Sequence, residues 1–373
     1  MSGVSQSAAE IARTERLAAL LREQELDVLL VSEPVNLRYL TGFTGTNGLA
    51  LLAAASDAPQ WFLTDFRYAT QSAEQVPAIY DRQVVQLDLL EAAARQLAEQ
   101  GRGGRLGFDD GALSVKQHRR LREQLSAGWE PVPAAGLIEG LRELKDAAEL
   151  QRIRAAAELA DEALRGLLEA GLVGHSERDI AIDLELRMRR LGASAPSFPS
   201  IVAAGPHSAL PHAEARDVAI PPDTLVTIDW GALLDGYCSD CTRTFATGEG
   251  LPAEDREIYE LVLRAQRAGL AAVRPGPSGR AVDAVARELI EQAGHGEHFG
   301  HGVGHGVGLE VHEAPRLSRT AAEQPLRAGH VVTVEPGVYI PGRIGVRIED
   351  LIAVTDDGHE VLNGLPKELS VVE

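Results

Sequence analysis

Two cysteines in 373 residues are too few for a disulfide framework. Nowhere does the chain approach the ~20 consecutive apolar residues that cross a bilayer. The opening stretch, MSGVSQSAAEIARTERLAALLREQ, alternates charge with Ala and Leu and lacks the apolar core of a secretion signal. Basic residues are outnumbered: 36 Lys plus Arg face 55 Asp plus Glu, a formal net charge of −19. Phosphate binding needs clustered Lys and Arg, so this balance argues against a general DNA or RNA binder. Low-complexity segments are absent too. These absences set the expectation of a soluble, cytoplasmic protein with neither membrane nor nucleic acid as partner. What is present is 45% hydrophobic residues, the share of a globular chain rather than a disordered one. At ~100–200 residues per domain, the length suggests two domains.

Hydrophobic periodicity divides the chain. Residues 5–25 predict an amphipathic helix, and DVLLVSEP a buried strand closed by Pro34. Further strand patterns (GLALLAA, WFLT, GRLGFD) alternate with helical stretches around 67–75, 86–100 and 114–126, an α/β arrangement. A long helix with Leu150, Ile153, Ala157, Leu164 and Leu167 on one face follows a boundary placed between 143 and 144. Ser176-x-x-Asp179 opens the next helix, over 176–191. Strand patterns FPSIVAA, TLVTIDW and CSDCTRTFAT come after it. Two helices, at 254–272 and 279–293, then precede VVTVEPGVYI and GVRIEDLIAV. Helix, helix, hairpin thus occurs twice, predicting a duplicated α+β unit with a mainly antiparallel sheet.

Each hairpin carries carboxylates. Asp229 lies in Leu225–Trp230 and Asp240 in Asp240–Phe245, with Leu234-Asp235-Gly236 supplying turn chemistry between them. Folding about that turn brings 229 and 240 opposite within a residue of register. Alternation puts Thr227 with Asp229 on one face, and Asp240, Thr242 and Thr244 on the partner's. Facing carboxylates repel unless a proton or cation lies between them. In the second hairpin Glu335 and Glu349 are symmetric about Gly342, Arg347 shares the face of Glu349, and Pro336-Gly337 interrupts the strand.

Between the hairpins, four of the 11 histidines fall in the glycine-rich run His298–His312. Its glycines disfavour a helix and allow close approach to a small centre. No His-Glu-x-x-His zinc motif, P-loop or dinucleotide fingerprint is present. Carboxylates with one or two imidazoles suit a pair of divalent ions such as Mn²⁺, Co²⁺ or Zn²⁺. Two such ions would acidify a bridging water and polarise a carbonyl. Cys238 and Cys241 lack a second ligand pair and read as buried packing residues.

In this order, Ile228-Asp229-Trp230-Gly231, Asp240-x-Thr242-Arg243-Thr244-Phe245, His301-x-x-x-His305, His312-Glu313, Val334-Glu335-Pro336-Gly337 and Gly345-x-Arg347-x-Glu349-Asp350 resemble the pita-bread metallopeptidases. Within them the pattern is most similar to the Xaa-Pro dipeptidase (prolidase) and aminopeptidase P branch. Asn36-Leu-Arg-Tyr39-Leu-Thr-Gly42-Phe43 resembles that branch's N-terminal domain, so the likeness spans essentially the whole chain. It implies a creatinase/prolidase-like α/β domain over 1–143 and a pita-bread catalytic domain over 144–373.

The same resemblance implies two divalent ions held by Asp229, Asp240, His305, Glu335 and Glu349, with Asp240 and Glu349 shared between them. A hydroxide between the ions would attack the carbonyl before proline. Glu335 would assist proton transfer, His312 would stabilise the tetrahedral intermediate, His301 and His212 would line the substrate site, and Arg347 would orient carboxylates. The implied substrates are Xaa-Pro dipeptides, or Xaa-Pro-Yaa peptides were the chain an aminopeptidase P, and the implied assembly is a homodimer. Arg316 offers a cation for a free carboxylate, though a surface charge is the simpler reading. All five ligand positions are intact, which weighs against a peptide-binding module on the same fold.

Overall fold

A strand buried along its whole length forms where both faces of a sheet are covered, and Val28–Val31 is such a segment, with every residue buried. The computed structural model describes residues 2–86 and 88–373 and divides into two units, one ending at Arg142 and one running Glu143–Glu373.

In chain order the first unit contains α1 (Ser2–Glu23), β1 (Val28–Val31), α2 (Pro34–Thr41), β2 (Gly48–Ala53), β3 (Gln60–Thr64), α3 (Ala69–Gln75), β4 (Tyr80–Val84), α4 (Leu89–Glu99), β5 (Gly104–Phe108), α5 (Val115–Gln124), β6 (Trp129–Pro133) and α6 (Leu137–Arg142). Its six-stranded sheet runs β4-β3-β2-β1-β5-β6. β1 pairs antiparallel with β2 and parallel with β5. The α/β expectation holds. Pro34, however, does not close β1; it opens α2, which ends at Gly42 with φ 71°. Proline suits a first helical position, where its missing N–H costs nothing, and glycine suits the left-handed cap. Neither β4 nor β6 figured in the sequence reading. Both are edge strands, β4 exposing Asp81 and Arg82 and β6 holding two prolines, a composition that protects an edge and hides the pattern. Asn36 is 1% exposed; it donates to Glu139 and accepts from Arg142, tying α2 to α6.

The second unit contains α7 (Ala147–Leu168), α8 (Glu177–Leu191), β7 (Ala195–Pro196), β8 (Ile201–Ala204), β9 (Leu225–Trp230), β10 (Ala232–Leu234), β11 (Tyr237–Cys238), β12 (Cys241–Ala246), α9 (Ala253–Ala272), α10 (Gly279–Gln292), β13 (Gly304–Gly306), β14 (Glu313–Leu317), β15 (Val331–Val334), β16 (Gly337–Ile340), β17 (Ile344–Arg347), β18 (Asp350–Val354) and β19 (His359–Val361). Its described strand pairings are antiparallel. Two helix pairs each cover part of them. On the first, Leu164 and Leu167 of α7 and Leu184 and Met188 of α8 pack with Ile228 and Trp230 of β9. On the second, Val262 of α9 and Val282, Ala286 and Ile290 of α10 pack with Val332, Val346 and Ile352. Helix ends follow the sequence: Ser176 caps α8 by accepting from the Asp179 amide, and Asp146 with Glu149 forms a capping box on α7.

Reciprocal ion pairs stitch the hairpins together. Arg243 of β12 donates to Asp350 of β18, and Arg347 of β17 donates to Asp229 of β9. Among the described residues no helix is long and apolar enough to cross a membrane.

Candidate metal centre

Asp235 and Gly236 both take positive φ, 48° and 83°, the geometry of a two-residue hairpin turn. Leu234 therefore faces Tyr237, and Asp229 faces Thr242. This corrects the expected register: Asp240 is not opposite Asp229 but lies two residues nearer the turn, in the gap between β11 and β12. The gap follows from Gly231, where a Cβ would stand 2.0 Å from the Ser239 carbonyl oxygen. That crowding ends the ladder and leaves Asp240 off the strand alternation. The expected face is otherwise intact. Thr227 and Thr244 face each other with their hydroxyls 3.0 Å apart.

In the second hairpin Val334 pairs with Asp350 and Gly337 with Arg347, so Glu335 and Glu349 fall opposite each other inside a break in the ladder. Their symmetry about Gly342 is as the sequence implied. The break is a change of partner: the Glu335 amide donates to the Val303 carbonyl at 2.7 Å and the Glu349 amide to the Thr242 carbonyl at 3.1 Å. The second bond joins the two hairpins next to their carboxylates. Thr333 donates to Glu335 at 3.1 Å and Thr242 to Glu349 at 2.7 Å.

His305 sits on β13, between β14 and β15. A Cβ at Gly304 would stand 2.0 Å from the Thr333 oxygen, and one at Gly306 2.2 Å from the Ala314 oxygen. Glycine on both sides is what lets the strand enter. The Nδ1–H of His305 donates to the Gly306 carbonyl at 3.0 Å, leaving Nε2 toward the carboxylates, 3.2 Å from Glu335 Oε1 and 3.6 Å from Asp240 Oδ2. His301 is fixed likewise. Its Nδ1–H donates to the Gly302 carbonyl and its Nε2 accepts from the Tyr339 hydroxyl at 2.9 Å. Tyr339 in turn accepts from Arg347 Nη1 at 2.8 Å, while Arg347 Nη2 reaches Asp229 Oδ2 at 2.6 Å.

Electrostatics decides what such a cluster can hold. Burial and the neighbouring carboxylates push Asp240 and Glu349 well above the usual carboxylate range, and burial raises Asp229 against the pull of Arg347. Glu335 goes the other way: burial would raise it, but the hydrogen bond and charge of His305 together with His301 and Arg347 pull it down to about 2. His305 is raised in spite of its burial, because the bond and charge of Glu335, the Gly306 carbonyl and Asp229 act together on it. Asp229 Oδ1 and Glu349 Oε1 are buried with no hydrogen-bond partner. Asp240, His305 and Glu349 each offer a ligand atom, all within 4.8 Å of one another. Crowded, orphaned carboxylate oxygens with one imidazole lone pair are what borderline-to-hard divalent cations satisfy.

Around this centre stand the remaining sequence candidates. The rings of His312 and His305 meet edge to face at 4.4 Å. Burial lowers His312, with His305, His212 and Arg316 acting in the same direction and Glu335 against them. Pro211, preceding His212, accepts from Arg347 Nη1 at 3.2 Å. Cys241 and Cys238 are buried thiols facing the Glu349 and Leu309 carbonyls, as packing residues would be. Sequence reasoning missed Tyr339, although alternation across the Pro341–Arg343 turn puts it on the Arg347 face.

The fold and the donor set define a class: an α+β unit whose paired hairpins assemble an oxygen-rich centre for divalent cations. Residues 151–356 match metallopeptidase family M24, and residues 13–144 match the creatinase/prolidase N-terminal domain. A Xaa-Pro dipeptidase of Pyrococcus furiosus is 36% identical over 360 residues, covering 96% of this chain and 99% of the relative. The structure of a Xaa-Pro dipeptidase from Bacillus anthracis superposes with a TM-score of 0.92 at 40% identity, covering 97% of this chain and 99% of that one. An X-Pro aminopeptidase from Thermotoga maritima gives 0.86 at 32% identity, over 93% and 98%. The chain belongs to metallopeptidase family M24, and its second unit has the pita-bread fold.

Proposed function

We propose that this protein is a cytoplasmic Xaa-Pro dipeptidase using two divalent ions, Mn²⁺, Co²⁺ or Zn²⁺, held by Asp229, Asp240, His305, Glu335 and Glu349. The observation that carries the reading is the convergence of both hairpins and β13 on one buried set of orphaned carboxylate oxygens, in a chain that matches proteins named Xaa-Pro dipeptidases along nearly their full length. Bound there, the ions supply an acidified water and a polarised substrate carbonyl.

The chain's own residues do the rest. Glu335, whose Oε1 is steadied by the Thr333 hydroxyl, is the carboxylate placed to take the water's proton and return it to the leaving proline nitrogen. His312 donates a hydrogen bond to the developing oxyanion. His301, held through Nε2 by the Tyr339 hydroxyl, and His212 shape the substrate site. Arg347 orients Asp229 and tethers the backbone beside His212. The likeness to the family also supports a homodimer, and light scattering that found a monomer would remove that part.

Hydrolysis of matched Xaa-Pro and Xaa-Pro-Yaa peptides, after chelation and add-back of each ion, tests the reading. Cleavage of dipeptides alone is the expected result. Preference for tripeptides would move the protein to aminopeptidase P, the reading favoured by its likeness to the Thermotoga maritima structure. Bound metal with no cleavage of either would leave a peptide-binding module.

A further inference from the structure

The first residue of α8 is Glu177, its side chain 1% exposed. A glutamate at a helix N-terminus gains from the helix dipole and ordinarily lies in water. This one is buried and gathers donors from both ends of one segment. At the entry, the Ala204 amide donates to it at 2.9 Å and His207 Nδ1 at 2.9–3.0 Å. At the exit, Arg216 donates its backbone amide, Nε and Nη2, each at 3.1 Å. Burial would raise this carboxylate, yet Arg216, the two amides and His207 hold it below its ordinary range. Backbone bonds from Glu177 and Arg178 to the Val218 and Arg216 carbonyls complete the grip.

His212 lies inside that segment, between Pro211 and the buried Ala213. The segment's other side is held by β17. Ser208 Oγ accepts from the Gly345 amide at 2.7 Å, and Pro211 accepts from Arg347. At Gly345 a Cβ would stand 1.9 Å from the Ser208 carbonyl oxygen, so the contact is close enough to need glycine. The chain bearing His212 is therefore clasped between the first turn of α8 and the strand that carries Arg347. None of Glu177's hydrogen-bond partners is a proposed metal ligand.

We propose that Glu177 is a positioning residue that sets where His212 stands, so that peptide affinity depends on a carboxylate outside the site. The inference rests on the proposed role of His212 beside the substrate. Charge-assisted hydrogen bonds are strong, and leaving buried donors such as the Ala204 amide and His207 without their acceptor is costly.

Glu177→Gln keeps the shape and removes the charge. The expected result for a Xaa-Pro dipeptide is a KM raised about tenfold with kcat nearly unchanged, unaltered bound metal by elemental analysis, and faster hydrogen exchange confined to residues 204–216. His207→Asn, which keeps a donor, should stay near wild type, whereas His207→Leu should follow Glu177→Gln. In a His212→Ala background Glu177→Gln should add nothing to KM, because both changes act through one group. Wild-type KM and exchange in Glu177→Gln would overturn the proposal, as would a full additional loss in the His212→Ala background or a fall in kcat with loss of metal. Should Glu177→Gln not fold, the two His207 variants decide by the same readouts. Failure of the wild type to cleave any Xaa-Pro peptide would overturn the dipeptidase reading instead, and the exchange measurement would still decide whether Glu177 clasps the segment.

Discussion

Two arginine–aspartate pairs cross between the hairpins of the second unit, and they differ most plainly at the second carboxylate oxygen. Asp350 accepts from Arg243 on Oδ1, and from Gln266 and Lys367 on Oδ2. Asp229 accepts from Arg347 on Oδ2, while its Oδ1 is buried with no hydrogen-bond partner. A satisfied buried ion pair holds structure, and a half-satisfied one keeps a site ready for a ligand. Chemistry alone would give both aspartates the same role; completeness of hydrogen bonding separates them.

Exchanging each acid for its amide is the sharpest way to break the comparison. Asp229→Asn removes a charged oxygen from the cation centre, so bound metal and dipeptide hydrolysis are expected to be lost together, activity falling by roughly 10³-fold or more. Asp350→Asn is expected to retain metal but to unfold more readily, because Arg243 and Lys367 are left without a counter-charge, a loss on the order of 3–5 kcal/mol. Elemental analysis, turnover and urea midpoints on the same preparations check both. Metal retained in Asp229→Asn, or a larger stability loss there than in Asp350→Asn in the metal-free proteins, would show that the orphaned oxygen is no guide to function.

The next effect concerns how each half steadies its histidine segment. In the second half the buried pair Asp283–Arg287 of α10 does this. Arg287 donates to the Phe299 and His301 carbonyls, and Asp283 accepts from the Val303 amide. Arg287→Met leaves Asp283 buried without its cation and is expected to lower the urea midpoint by the equivalent of about 3 kcal/mol. It should also raise KM through His301. An unchanged midpoint would mean that the glycine-rich run is held by its strand bonds alone.

How far the sequence could be read follows from where its ladders are continuous. Glu335 and Glu349 were legible across a broken strand because the turn at Gly342 fixes the pairing on both sides of the break. Asp240 was identified as a candidate but misplaced, since the close approach at Gly231 ends the ladder before reaching it. Strand period carries information only while pairing persists. Thr242, which bonds both Glu349 and Arg347, was read only as a face residue. Glu177 was beyond reach. A glutamate after a serine cap is an ordinary helix start, and nothing local links it to a segment beginning 27 residues later. In the first unit, the edge strands β4 and β6 went unread because exposure removes the apolar pattern on which such readings depend.

The smallest effect separates acid sensitivity of the fold from that of the cation centre. His330 precedes β15 and is 3% exposed, and its Nδ1 accepts from the Arg327 amide at 3.1 Å. Burial, with Lys145 and Arg327 nearby, lowers it from 6.5 to about 4. Between those values the unfolded chain binds the proton and the folded one does not, so stability rises with pH across the window and is lost as pH falls from 6.5 toward 4. His330→Asn keeps an acceptor of similar reach for the Arg327 amide and removes the titration. Its metal-free Tm is therefore expected to fall less steeply than that of the parent from pH 6.5 to 4, with the two curves parallel above pH 7. Parallel curves throughout would place the acid sensitivity of the fold elsewhere, with the carboxylates of the centre as the next groups to test.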